Sequence, residues 1–274
     1  MTWLFILIFI LFILLIIVLK YRKEGFESNT TSRSSTSCIY WINLDRSPDR
    51  RKNMEKMLQT IDISNERISA IDGKNEKIYD MIDTNNYDST DSEYGCLMSH
   101  LEAVRTFKNS NNRVALILED DCTLELKKYW DGTTHEKTLN QKINEIISNA
   151  PKDWEIIMLS YIVELNHPLN NWSNDEKYIR FDSGIYSTLS YLINKKGAKK
   201  LIDDCDNLSC YKDNVYLLNS NAQHKADHYI YKNTITYCYK YPLFIYDNED
   251  STIHDDHLNF HKQNKERIIK NYES

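Results

Sequence analysis

The six cysteines of this 274-residue chain contain no CxxC pair, so a structural zinc site built on paired thiolates is not expected. Positive charge is also short: 34 lysines and arginines stand against 40 aspartates and glutamates, a net charge of -6. Nucleic-acid binding needs a basic footprint, and this balance argues against it. No internal repeat is visible. No basic segment precedes the apolar run at the amino end, as a cleaved secretory signal would require.

That run, residues 3–19, is unbroken and spans roughly 26 Å as a helix, at the short end for a bilayer core. Lys20, Arg22 and Lys23 follow it. The expectation is an uncleaved transmembrane anchor over 1–20, giving a single-pass membrane protein. The basic flank would keep the rest of the chain on the cytosolic side by the positive-inside rule, though many membrane-bound sugar transferases face the other way. Residues 21–37 are rich in Ser and Thr without apolar period and read as a stalk. Cys38, Cys96, Cys122, Cys205, Cys210 and Cys238 are widely spaced and fit buried thiols as well as disulfides. Three glycosylation sequons begin at Asn29, Asn171 and Asn207.

From Cys38 onward the pattern alternates strand and helix. Residues 38–42 form a short β-type run, and Ser47-Pro48-Asp49 supplies a serine cap, a first-turn proline and an acid for a helix. Met54, Met57, Leu58 and Ile61 lie on one stripe of that helix. Residues 67–71 read as a second strand, completing a βαβ unit and implying a parallel sheet. Residues 80–93 are polar and acidic and read as a surface loop. Residues 95–107 return to helical period, with Leu97, His100, Val104 and Phe107 on one stripe. Val114 to Leu118 is all apolar, as expected at the centre of a parallel sheet. Further strands are expected at 155–159 and 187–193, and a helix at 195–203.

Three carboxylates, Glu119, Asp120 and Asp121, end the apolar strand. Ligands of open α/β sheets bind beyond the carboxyl ends of the strands. Adjacent carboxylates repel unless a cation neutralises them, and oxygen-only ligands select hard ions such as Mg²⁺ or Mn²⁺. Such an ion commonly bridges carboxylates and a diphosphate. Taken alone, the triplet fits a solvated acidic turn equally well.

The surrounding blocks carry more. Residues 39–51 (Ile-Tyr-Trp-Ile-Asn-Leu-Asp-Arg-Ser-Pro-Asp-Arg-Arg) resemble the opening of glycosyltransferase family 25, which includes lipooligosaccharide galactosyltransferases and collagen hydroxylysine glycosyltransferases. The resemblance continues in order through Arg-Ile-Ser-Ala-Ile-Asp-Gly at 67–73, Gly-Cys-Leu-Met-Ser-His at 95–100, Ala-Leu-Ile-Leu-Glu-Asp-Asp at 115–121 and the Gly197-Ala198 block at 191–201. Asp227 falls where the family has an aspartate after that block.

The resemblance implies a GT-A-type, Rossmann-like, mostly parallel sheet flanked by helices, with the catalytic domain over 38–260 and a basic tail over 261–274. It also implies an inverting transfer of a hexose, galactose or glucose, from a UDP-sugar to a hydroxyl of a glycan, lipooligosaccharide or collagen-like protein, with Mn²⁺ or Mg²⁺. Asn43, Arg46, Arg50, Asp72, His100 and Asp120 would bind the donor, arginine because its planar fork pairs with phosphate oxygens. Asp121 and Asp120, with His254 as a third ligand, would hold the metal. Asp227 would be the general base, with Glu119 as its substitute. Each has a structural alternative: a helix face for Arg50, a turn for Asp72, a packed core histidine for His100, a helix-start acid for Asp227 and a polar surface cluster for His254. Rival functions are a membrane-tethered nucleotide-sugar or glycan binding module, and a nucleotidyltransferase or phosphohydrolase using the same metal.

Overall fold

The computed structural model describes residues 38–75, 77–83, 87–130, 137–164, 167, 175–203, 211–212, 215–218, 223–247 and 258–273. The apolar run at 3–19, the stalk, the three sequons and His254 lie outside these residues. Among the described residues, no helix is long and apolar enough to cross a membrane.

Strand β1 (Cys38–Asn43) leads through α1 (Pro48–Leu58) to β2 (Asn65–Ser69). The two-residue β3 (Ile82–Asp83) precedes α2 (Asp91–Asn109), which runs into β4 (Val114–Glu119). Then come β5 (Cys122–Thr123), α3 (Lys127–Trp130), α4 (Leu139–Asn149), β6 (Ile156–Met158), β7 (Ile162–Val163), β8 (Tyr178–Arg180), β9 (Ile185–Tyr186) and β10 (Ser190–Asn194). After them stand α5 (Lys195–Asp203), β11 (Tyr211–Lys212), β12 (Val215–Leu217), α6 (Ala226–Lys232), β13 (Thr236–Tyr239), β14 (Ile245–Tyr246) and α7 (Leu258–Glu273).

The main sheet has the order β2-β1-β4-β10-β6-β13-β8. β2, β1 and β4 are parallel, as the βαβ reading expects. β10 enters antiparallel between β4 and β6, and β8 is antiparallel at the edge. β13 is parallel to β6. Five of the seven strands therefore share one direction, in a mixed α/β sheet.

Both faces of this sheet are covered, which is why β1 and β4 are apolar without a break. Tyr40, Ile42, Ala115 and Ile117 point into one core with α2, α5 and α6. Ile39, Trp41, Leu116 and Leu118 point into the other with α1, α4 and Ile268 of α7. Period two assigns each side chain to its core.

Some local expectations change. Ser47 holds the N-cap position of α1, but its side chain makes no capping bond. Its carbonyl instead accepts the Asn43 amide at 3.2 Å. Much of 80–93, read as a loop, is ordered: β3 pairs with β12, and a capping box between Thr90 and Glu93 starts α2 four residues before the expected point. The expected strand at 67–71 sits at 65–69, which leaves 70–73 to turn away from the sheet. The boundary drawn at 260/261 falls inside α7. That helix is packed down, with Asn264 donating to the Tyr161 carbonyl and Ile268 buried. Four cysteines, Cys38, Cys96, Cys122 and Cys238, are free thiols.

Candidate functional site

The strand ends converge on one cavity of about 550 Å³. β1, β2 and β4 deliver their carboxyl ends to it. β10 runs the other way, so it delivers the residues before it. The wall includes Asn43, Arg46, Arg50, Asp72, His100, Glu119, Asp120, Asp121 and Asp227, every candidate among the described residues.

The register explains the first contacts. Ile42 pairs with Glu119, so Asn43 and Asp120 come next to each other at the ends of their strands. The Asn43 amide nitrogen donates to Asp120 Oδ2 at 2.5 Å, and its carbonyl oxygen accepts from Arg67 Nε at 2.9 Å. Asn43 is 1% exposed, so its amide positions Asp120 and is not left open to a ligand. Arg50, one helical turn into α1, faces the acids: Nη1 lies 3.1 Å from Asp120 and 3.5 Å from Asp121. Arg46 and Asp72, both foreseen as donor contacts, pair with each other at 2.6 Å. The hydrogen bond from Arg46 is the main reason the Asp72 carboxyl lies below its ordinary range.

Helix α2 accounts for its sequence block residue by residue. A Cβ on Gly95 would lie 2.7 Å from the Ile71 carbonyl oxygen, so only glycine admits the 71–73 turn here. Ser99 Oγ accepts the Ile71 amide at 2.8 Å and donates to the Gly95 carbonyl. Cys96 lines the cavity, and burial pushes its thiol well up, which disfavours the thiolate. His100 is buried, with Nε2 3.3 Å from Glu119 Oε1 and Nδ1 3.2 Å from the Tyr191 hydroxyl. A carboxylate only accepts, so the Nε2 hydrogen is donated to Glu119, while Nδ1 shares a hydrogen bond with the tyrosine hydroxyl. His100 is thus both a packed histidine and the partner of Glu119.

The three acids differ. Burial raises the Glu119 carboxyl, but hydrogen bonds from His100 and Thr188 (2.7 Å), with the Arg50 charge, outweigh it and hold it below its ordinary value. Burial leaves Asp120 above its ordinary value despite Asn43 and Arg50. Asp121 is pushed up to about 8, first by burial and then by the Glu119 charge. Its Oδ1 is buried with no hydrogen-bond partner among the described residues. An orphaned carboxylate oxygen of this kind fits a cation. Yet no group of three or more His, Cys, Asp or Glu among the described residues makes a metal cage by itself. Asp120 and Asp121 fit as two ligands of an ion that takes its remaining oxygens from elsewhere.

Across the carboxylates stands a wall that sequence reasoning missed apart from Asp227. Asp227, in the first turn of α6, accepts from the backbone N–H of His228 at 2.8 Å and of Ser187 at 3.4 Å. Ile162, Glu164, Tyr186, Ser187, Thr188 and Tyr246 complete this side. Trp154 packs against the core away from the cavity, and Trp172 lies outside the described residues.

Fold and cavity together define an α/β protein that holds its ligand at the carboxyl edge of a sheet. A sequence model of glycosyltransferase family 25 (LPS biosynthesis protein) matches residues 36–216. The chain is 28% identical over 182 residues to a glycosyltransferase 25 family member of Anopheles gambiae, covering 61% of this chain and 29% of that protein. It is 29% identical over 178 residues to procollagen galactosyltransferase 2 of Mus musculus, covering 60% and 27%. The chain belongs to glycosyltransferase family 25. It spans about three tenths of the length of the curated relatives it matches. Among solved structures it is similar to the galactosyltransferase LgtC in complex with donor and acceptor sugar analogues, at a TM-score of 0.32 and 12% identity, covering 85% of this chain and 95% of that one.

Proposed function

We propose that the protein transfers a hexose, galactose or glucose, from a UDP-sugar to a hydroxyl of a glycan or protein acceptor, with inversion. The observation that carries this reading is a cavity in which three carboxylates at the end of β4 lie between an arginine-bearing wall and a wall bearing Asp227. On the first wall, Arg46 and Arg50 have the forked geometry that suits a diphosphate, and Asp72 lies near enough to share the nucleotide. Asp121 and Asp120 would hold a divalent ion, Mn²⁺ or Mg²⁺, which when bound supplies charge neutralisation at the leaving diphosphate. Asp227 takes the proton of the acceptor hydroxyl, whose oxygen forms the new bond to the anomeric carbon. The bond from that carbon to the diphosphate oxygen breaks, and its electron pair leaves with UDP. Glu119, engaged by His100 and Thr188, keeps a fixed negative charge beside the reacting centre.

Binding without turnover is the second reading, and one observation favours it: Arg50 already neutralises Asp120 and Asp121. The discriminating experiment is to incubate the full chain with manganese and UDP-galactose or UDP-glucose. Release of UDP supports the transferase. Manganese-dependent donor binding with no turnover of any donor would sink it in favour of the binding module. The apolar run at 3–19 would tether this activity to a membrane.

A further inference from the structure

The cavity wall opposite the arginines has a construction of its own. β7 and β9 pair antiparallel, Ile162 with Tyr186 and Val163 with Ile185. The two residues of β9 are flanked by Gly184 at φ 105° and Ser187 at φ 101°. Glycine takes such a φ at little cost, whereas a serine there is strained and persists only where its surroundings hold it. Four hydrogen bonds do so. Ser187 Oγ accepts from the Tyr246 hydroxyl at 2.7 Å and from the Leu189 amide at 3.2 Å. Its carbonyl accepts from the Tyr231 hydroxyl at 2.8 Å, and its N–H donates to Asp227 at 3.4 Å.

This strained bend fixes Tyr186 as part of the wall. One side of its ring is stacked on His228, at 5.5 Å between centroids and 17° between planes. Its hydroxyl donates to Glu164 Oε1 at 2.5 Å. That bond to a carboxylate also pushes the phenol up to about 12, so the hydroxyl keeps its proton. The ring is thus immobilised at both its face and its tip, next to the residue whose backbone holds Asp227. Among the described residues, no arginine lines this side of the cavity. The one cation they place there, Lys225, reaches Glu93 at 3.5 Å.

We propose that Tyr186, with Glu164 and Asp227, forms a saccharide acceptor subsite. The axial C–H face of a pyranose is apolar and matches a fixed aromatic surface, while its hydroxyls are donors that carboxylates accept. A ring held there presents a hydroxyl toward Asp227. A phosphate-bearing ligand would meet carboxylates on this side and be repelled. The proposal rests on the transferase reading for its role, but saccharide binding can be measured without turnover.

The test uses the full chain with manganese and UDP, and methyl β-galactoside, methyl β-glucoside and lactose as probes. Ligand-observed NMR reads binding, and transfer from UDP-galactose and UDP-glucose reads KM. Tyr186→Ala should weaken saccharide binding and raise the acceptor KM about tenfold, the size of a lost stacking contact, and raise it by more than the donor KM. Tyr186→Phe, which keeps the ring and loses the bond to Glu164, should lose less, and Tyr186→Trp should bind as well as the parent. Saccharide binding that depends on Tyr186 in a protein without turnover would keep the subsite while the transferase reading falls. Unchanged binding and KM in Tyr186→Ala would overturn the subsite. So would a parent protein that binds none of the sugars, or one that glycosylates a hydroxylysine-containing peptide but none of the sugars.

Discussion

The two walls of the cavity are built by opposite means. The wall from β1, β2 and the start of α1 uses regular elements, unstrained backbone and charge pairs: Arg50 with Asp120 and Asp121, Arg46 with Asp72. The facing wall uses a two-residue strand between two positive-φ residues, with tyrosine hydroxyls as struts. A wall held by charge can exchange partners when a charged ligand arrives. A wall held by hydroxyl and backbone hydrogen bonds around a bent backbone, with no cation in the bend, keeps one shape. That contrast suits a polyanionic donor on the first side and an uncharged acceptor on the second.

Substitutions can break this comparison, and the largest effect is expected on the charged side. Asp121→Ala should lower turnover about 10³-fold or more and abolish metal-dependent donor binding, measured by UDP release and by titration with manganese. Donor binding equal to that of the parent would show that the metal sits elsewhere. On the facing side, Asp227→Asn should lower kcat about 10²- to 10³-fold while the donor Kd stays unchanged. A changed donor Kd would mean that the two walls are not separate. Gly95→Ala, which must shift the 71–73 turn, should destabilise the fold by about 1–3 kcal/mol in denaturant unfolding and raise the donor KM. A Gly95→Ala variant as stable as the parent would show that the turn yields freely.

The remaining effect is one of pH. Asp121 in the metal-free protein titrates near 8, above its ordinary carboxylate value. The folded state therefore holds that proton more tightly than the unfolded one. The resulting stability is complete below the ordinary value and is lost as pH rises through about 8. Metal-free protein should lose unfolding free energy between pH 5 and 8, and Asp121→Asn should flatten that slope. A slope identical in the two proteins would assign it to other groups.

Sequence and structure agree best where local chemistry decides. Pro48 and Asp49 start α1, the apolar run becomes β4, and the helix expected at 195–203 is α5. The acids follow β4 directly, so the strand's direction is enough to send them to the cavity. What was not legible depends on partners distant in sequence. Nothing in residues 190–194 tells that β10 runs antiparallel between β4 and β6, since period two is the same in either direction. Residues 187–193 read as one strand, yet Ser187 turns the chain, and the hydroxyls that hold it come from Tyr231 and Tyr246, 44 and 59 residues away. Thr188 and Tyr186 carry no local sign of facing a site. The Thr90–Glu93 capping box was legible in principle, as a threonine followed three residues later by a glutamate, but lay within a stretch whose acidity suggested a loop.

The backbone contact at Gly95 has a mechanical side. A Cβ on Gly73 would lie 2.0 Å from the Asp91 carbonyl oxygen, and one on Gly95 would lie 2.7 Å from that of Ile71. The 71–73 turn and the first turns of α2 therefore lie main chain on main chain, joined further by Ser99. At these two points there is no room for a side chain that could absorb displacement. Any ligand that moves Asp72 pushes on α2 as on the short arm of a lever, and the same helix carries His100 to Glu119. A shift of the 71–73 turn is thus passed, with no soft side chain between, to the helix that holds His100 against Glu119.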